Sequence, residues 1–268
     1  MRCLLLLLLF GNINPLFSQE LFVITDPASN VPANSVSVNL MNSLFDEGDA
    51  MNFHLMPEVT YGLTKSLMFR ASSFISNRNS NLYLEGAGIM AKYRFLSNDE
   101  FNSHFRMALY GRASLNRADI HQEQIEIMGH NSGYELGLIA TKLLHKLALS
   151  ATMSYEKAED NTSRYDFPYL FGNEATNYTI SFGRLMHPKA YTNIRQTNVN
   201  FMLEFAGQSI NSNGKSFLDV VPAIQFIIRS QARIDFAPPC GAKFGGANIA
   251  SGKKRKYPHT CWGHLSLY

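Results

Sequence analysis

"SHFRMALYGRASLN", residues 103–116, divides in two when alternate residues are read together. Phe105, Met107, Leu109, Ala113 and Leu115 are apolar, whereas His104, Arg106, Tyr110, Arg112, Ser114 and Asn116 carry polar groups. A strict period of two belongs to a β-strand with unlike faces. The pattern leaves one question open. A soluble sheet turns its apolar face to a core, and a membrane barrel turns it to lipid.

The same alternation recurs along the chain. Strand candidates fall at 35–45, 53–63, 67–75, 82–96, 103–116, 132–141, 146–157, 176–186, 198–208, 216–228 and 231–237, each bounded by Gly, Asn, Asp, Ser or Pro clusters. No segment carries a convincing helical stripe. Connections mostly alternate in length: 117–131 and 158–175 are long, and both follow odd-numbered strands, whereas 64–66, 142–145 and 229–230 follow even-numbered ones and are short; only 187–197 is a long one after an even-numbered strand. A meander with tight turns at one end and long loops at the other is the pattern of an outer-membrane barrel. The strand lengths suit the ~9–11 residues a tilted strand needs to cross a bilayer.

The N-terminus supports export. Arg2 precedes an apolar run from Leu4 to Phe10, and Ser18 offers a small residue before Gln19. This reads as a signal peptide over 1–18, because the run is far shorter than the ~20 apolar residues of a membrane-spanning helix. Only Cys240 and Cys261 would remain after cleavage, which permits one disulfide and no framework. At 46% hydrophobic but only 17% charged residues, the chain interleaves apolar and polar positions rather than segregating them. The net charge of +3 comes from a basic end: residues 238–268 hold Lys243, Lys253, Lys254, Arg255 and Lys256 and no acid. No nucleic-acid partner is expected of an exported chain.

Three features favour a barrel over a soluble sandwich: the strand lengths, the export signal, and aromatic residues near the ends of the apolar faces (Tyr61, Tyr93, Phe95, Tyr155, Tyr178). The expected fold is therefore all-β, an antiparallel up-and-down transmembrane β-barrel of about 12 strands spanning 35–237, with 19–34 a periplasmic N-terminal segment. The apolar faces then look at lipid. The polar faces line a lumen holding Arg70, Lys92, Arg94, Arg106, Arg112 and Arg233, and Glu58, Glu135, Glu156, Glu204, Asp219 and Asp235. The basic members sit mostly on the third to fifth strands and the acidic ones on the sixth to tenth. Two uses suit them: salt-bridge ladders that hold the interior together, or a transverse field that orients a polar or zwitterionic solute.

"TDPASNVPANSVSVNLMNSLF" (25–45), "SHFRMALYGR" (103–112), "GHNSGYELGLIATKLLHKLALS" (129–150) and "QTNVNFMLEF" (196–205) resemble a family of uncharacterised outer-membrane β-barrel proteins of Gram-negative bacteria. The resemblance runs over about 25–237. It implies the fold and a bacterial outer-membrane location, with a periplasmic N-terminus and extracellular long loops, and it supplies no catalytic residue. The chain departs from it after Ala237, where "PPCGAKFGGANIASGKKRKYPHTCWGHLSLY" brings prolines, glycines and both cysteines. Two prolines should stop the ladder, and Pro258 and Gly263 interrupt the run to Tyr268. The last strand is therefore expected to be missing or disrupted, as if by a changed reading frame, which would leave an edge that lipid cannot satisfy.

No catalytic constellation emerges. His104, Ser114 and Asn116 share a face, but ten residues of strand separate His104 from Ser114, ~33 Å at about 3.3 Å per residue, too far for a nucleophile and its base. His121, Glu123, Glu126 and His130 could serve a rim protease or a metal, but they read as a solvated loop. No cofactor or metal is expected. Outer-membrane lipid, the barrel-assembly machinery and a small solute are the expected partners. Function narrows to a narrow passive channel or uptake protein for small polar or amphipathic solutes, or else a surface-binding or structural barrel. The second would use Tyr165, Phe167, Tyr169 and Phe171 as an aromatic loop patch.

Overall fold

The computed structural model of the chain describes residues 22–46, 51–77, 82–100, 103–120, 124–161, 167, 172–188, 196–229, 232–237 and 260–267. The described residues form twelve antiparallel strands and no helix. The strands are β1 (Val36–Asp46), β2 (Met51–Gly62), β3 (Leu67–Ser76), β4 (Tyr83–Glu100), β5 (Ser103–Asn116) and β6 (Ser132–Leu144). They continue with β7 (Leu147–Glu159), β8 (Glu174–His187), β9 (Thr197–Ile210), β10 (Ser216–Ile228), β11 (Ala232–Ala237) and β12 (Thr260–Leu267). Each pairs with its sequence neighbours, and the sheet closes between β1 and β12.

The closing strand corrects the expectation that the ladder ends at Ala237. Residues 260–267 run between β11 and β1, from Ala232↔Leu267 to Ala237↔Trp262 on one side and from Val38↔Leu267 to Phe45↔Thr260 on the other. The reason is that a ladder is made of backbone. None of the paired residues 232–237 and 260–267 is a proline, and Gly263 keeps its N–H and C=O whatever it lacks in side chain.

Side chains alternate as the period requires. Leu109, Leu115, Leu136, Met153, Ile180 and Phe201 point outward and are exposed. Their neighbours Ala108, Tyr110, Ile139, Ser154, Ser181 and Met202 point inward and are buried. The sheet is thus apolar on its outer surface and mixed on its inner one, the reverse of a soluble protein.

β4 overruns its expected end and reaches Glu100, because a bulge at Phe95 lets it follow β5 beyond the start of β3.

Substituting Met153→Arg tests the outward face. Met153 lies in the middle of β7 and is 64% exposed, so in lipid the guanidinium would meet hydrocarbon. Urea titration of folding into phospholipid vesicles should show a loss of about 2–4 kcal/mol. A loss near zero would place this face in water.

A self-plugged lumen as the candidate functional site

The interior is filled by two segments of the chain itself. The first is residues 22–29. The sequence reading left this stretch outside the barrel as part of a periplasmic segment; its seating inside is a correction. It enters at the end of the short turns, where Asn34 donates its backbone N–H to the Gly62 carbonyl at 2.7 Å. A Cβ on Gly62 would run into the carbonyl oxygens of Val31 and Pro32, so only glycine lets the two backbones cross there.

Inside, the segment lies between opposite charges. On one wall Asp26 takes both guanidinium nitrogens of Arg70, at 2.8 and 3.0 Å, with Arg112 at 3.6 Å. Lys92 donates to the carbonyls of Pro27 at 2.7 Å and Ser29 at 2.9 Å. On the other wall the Glu204 carboxylate accepts the backbone N–H groups of Val23 (2.7 Å), Ile24 (3.2 Å) and Thr25 (2.9 Å). Ser181 donates to it as well, at 3.2 Å. Thr141 accepts the Ala28 N–H at 2.9 Å, and Arg233 donates to the Phe22 carbonyl at 2.8 Å. Charge-assisted bonds of this kind are each worth about 1.5–3 kcal/mol. Apolar contacts complete the seat: Phe22 and Val23 pack on Met202, Val221 and Ala223, and Ala28 packs among Met90, Ala108, Tyr110 and Ile139.

The second filling segment is the inner part of the β5–β6 loop, 124–131, at the opposite end. Gln208 holds Ile125 from both sides, accepting its N–H at 2.9 Å and donating to its carbonyl at 2.7 Å. Glu156 accepts the Ile127 N–H at 2.8 Å. Asn116 donates to the Gly129 carbonyl and Ser114 to that of Asn131. The His130 ring stacks on His54 at 5.3 Å, and His54 Nε2 lies 3.5 Å from Glu85. Ile125 and Ile127 are buried with Ala158, Phe167, Ala175, Ile210 and Phe217. This loop was expected to be solvated. Two isoleucines among polar neighbours give it an apolar edge, and the lumen is where that edge escapes water. His121 and Glu123 lie outside the described residues.

Between the two segments runs a polar layer. Tyr110 donates to Glu135 at 2.5 Å, and Arg112 lies 3.2 Å from the same carboxylate. Glu135 and Glu156 are direct partners across β6 and β7. Arg112 offsets the repulsion on one, and the Ile127 amide with Asn177 offsets it on the other.

The remaining residues singled out from the sequence are placed as follows. Glu58 is buried beside Arg70 at 3.8 Å, and Arg233 is buried against Asp235 on β11. Asp219 is half-buried on the inner face of β10. Arg94 and Arg106 hold inner-row positions, opposite the inward Ala108 and Thr141, but at the end of the barrel. Arg94 reaches out to the Lys65 carbonyl beside the bulge, and Arg106 stands at the rim between Ser29 and Asp99. Phe167 is not a surface contact, because its ring is buried in the cluster under the loops. Tyr165, Tyr169 and Phe171 lie outside the described residues. Asp26, Thr25, Tyr110 and Gln208, which carry much of the network, were not among the expected site residues.

A closed antiparallel barrel, apolar outside and charged within, defines a transmembrane β-barrel of the outer-membrane kind. No protein-family model matches the chain, and no curated relative is found. Solved structures with some likeness include OccAB4 of Acinetobacter baumannii, 8% identical with a TM-score of 0.40 over 84% of this chain and 56% of that one. OpdL of Pseudomonas aeruginosa is also 8% identical at 0.40, over 87% of this chain and 96% of that one. OmpT, an outer membrane protein of Vibrio cholerae, is 9% identical at 0.30 over 92% and 99%. Likeness at these scores is too faint to carry a role from those proteins to this chain.

Two measurements check the seat of residues 22–29. Glu204→Ala leaves three amides without their carboxylate, at about 1–3 kcal/mol for each left unpaired. An Ala28→Cys reporter, in a background with Cys240 and Cys261 changed to Ser, should then react with a maleimide at least tenfold faster. An unchanged rate would show that Glu204 does not hold the segment. The second measurement is pH dependence. Burial alone would raise the Asp26 carboxyl, but Arg70, Lys92 and Arg112 outweigh it and hold it well below the usual carboxylate range. A depressed carboxyl stabilises the seat above its free-chain value of about 3.9, and this contribution is lost as pH falls below that. Amide NMR signals of Val23 to Ala28 should therefore hold from neutrality to about pH 4 and shift toward the free positions below it.

Proposed function

We propose that this protein is a narrow passive channel or uptake protein of the bacterial outer membrane, for small polar or amphipathic solutes, with residues 22–29 closing the lumen at rest. The N-terminus and short turns face the periplasm, and the long loops face the exterior. The observation that carries this reading is the chemistry of the plug interface. Lys92 and Glu204 are buried, and both bond to residues 22–29. A plug of purely structural purpose is better made apolar, because burying charges costs as much as pairing them returns. A charged interface has one advantage. When the segment leaves, water hydrates the charged groups on both surfaces and offsets part of the bonds lost; a wholly apolar seat would have no such return.

The filling of the lumen from both ends supports a second reading, a non-transporting barrel that presents its loops to a partner. Planar-bilayer recording separates the two. The wild type should show long closures, and Glu204→Ala or Asp26→Ala should raise the open fraction several-fold with discrete single-channel steps. If neither variant conducts while both remain folded barrels, the channel reading fails.

A further inference from the structure

Nearly every polar contact that seats residues 22–29 uses either the backbone or the Asp26 carboxylate. Glu204 takes three N–H groups, Thr141 takes a fourth, and Lys92 and Arg233 donate to carbonyls. Arg70 and Arg112 take the carboxylate. Thr25 and Ser29 add hydroxyl contacts to Ser181 and Arg106. A backbone and an acid are what any aspartyl peptide offers. The wall therefore recognises a chemical class rather than this particular stretch of chain.

We propose that the lumen is a binding site for a small solute carrying a carboxylate beside N–H donors, an acidic dipeptide or its like. Residues 22–29 occupy that site as the chain's own substitute for the solute. The proposal deepens the channel reading and rests on it for its biological use, though the binding itself does not require conduction.

The charge layout supports this. Around Asp26 stand three cations, Arg70, Lys92 and Arg112, and two other carboxylates, Glu58 and Glu135. Without Asp26, Arg70 loses its two-oxygen partner and keeps Glu58 at 3.8 Å, and an incoming carboxylate restores the pair. Glu204 lies on the facing wall and selects N–H donors at the other end of the solute. A carboxylate without N–H donors, or N–H donors without a carboxylate, satisfies only one wall. The tether sets the competition: a segment fixed at the rim by Asn34 and Gly62 has an effective concentration on the order of mM. A solute must bind well enough to compete with that, so loosely bound carboxylates leave the segment in place and well-fitting ones displace it.

The test compares acetyl-Thr-Asp-amide with acetyl-Thr-Asn-amide, which differ by the one carboxylate, in calorimetric titrations of the detergent-solubilised full chain. The variant Asp26→Ala, Ala28→Arg places a cation against the basic arc and ejects the segment; Asp26→Ala alone, which leaves the wall untouched, is the second variant. The aspartyl peptide should bind the variants at least tenfold tighter than the wild type and at least tenfold tighter than the asparaginyl peptide. Adding Arg70→Gln should remove that preference. A folded variant that binds both peptides alike, or neither, overturns the proposal. Currents measured on the same variants judge the channel reading separately. Currents without peptide discrimination sink the solute class and leave the channel; discrimination without currents does the reverse.

Discussion

A β-sheet in hydrocarbon cannot leave backbone N–H and C=O groups unpaired, and this requirement governs the rest of the molecule. It demands closure, and closure is delivered by residues 260–267, which satisfy the free edges of both β1 and β11. Closure in turn divides every strand into an outer and an inner row. The outer row is supplied by residues such as Leu115, Met153 and Ile180. The inner row is freed from contact with lipid and can hold groups that no lipid-facing position would tolerate. The charged lumen is therefore a result of the closed ladder, and so is its need for partners.

Those partners come from the chain itself. Interior charges on the strands pair only in part with one another: Arg112 meets Glu135, and Arg70 lies near Glu58. The remaining demand is met by Asp26 on the basic side and by three backbone amides on the acidic side. The two sides differ in chemistry, so the segment between them has a fixed direction and depth. The loop at the other end follows the same logic with neutral groups, through Gln208 and Asn116.

Much of this architecture was legible in the sequence, and the part that was not has a common cause. The period of two is local, so the faces of 103–116 could be read from fourteen residues, and Arg112, Glu135 and Glu204 fell on the inner row. The plug was not legible because "FVITDPAS" has no period and its partners lie between 44 and 211 positions away. Arg94 does sit on the inner row, opposite Ala108, but alternation does not say how far along the barrel a residue lies, and Arg94 stands at the end beside the 64–66 turn. The closing strand was hidden by composition, since prolines and glycines speak about side chains and φ angles while pairing concerns the backbone. Ile125 and Ile127 offered a signal that could have been used: two apolar residues in a loop with little else to cover them.

The seat of residues 22–29 draws on an unusually wide part of the wall. Arg70 is on β3, Lys92 on β4, Arg112 on β5, Thr141 on β6, Ser181 on β8, Glu204 on β9 and Arg233 on β11. A short peptide that must touch seven strands at once can do so at only one circumference and one stagger of the sheet. A barrel that closed with β1 and β12 slipped would rotate these side chains out of reach of one another. The segment thus fits a sheet curled to this size, and a misregistered barrel would leave those charges unanswered.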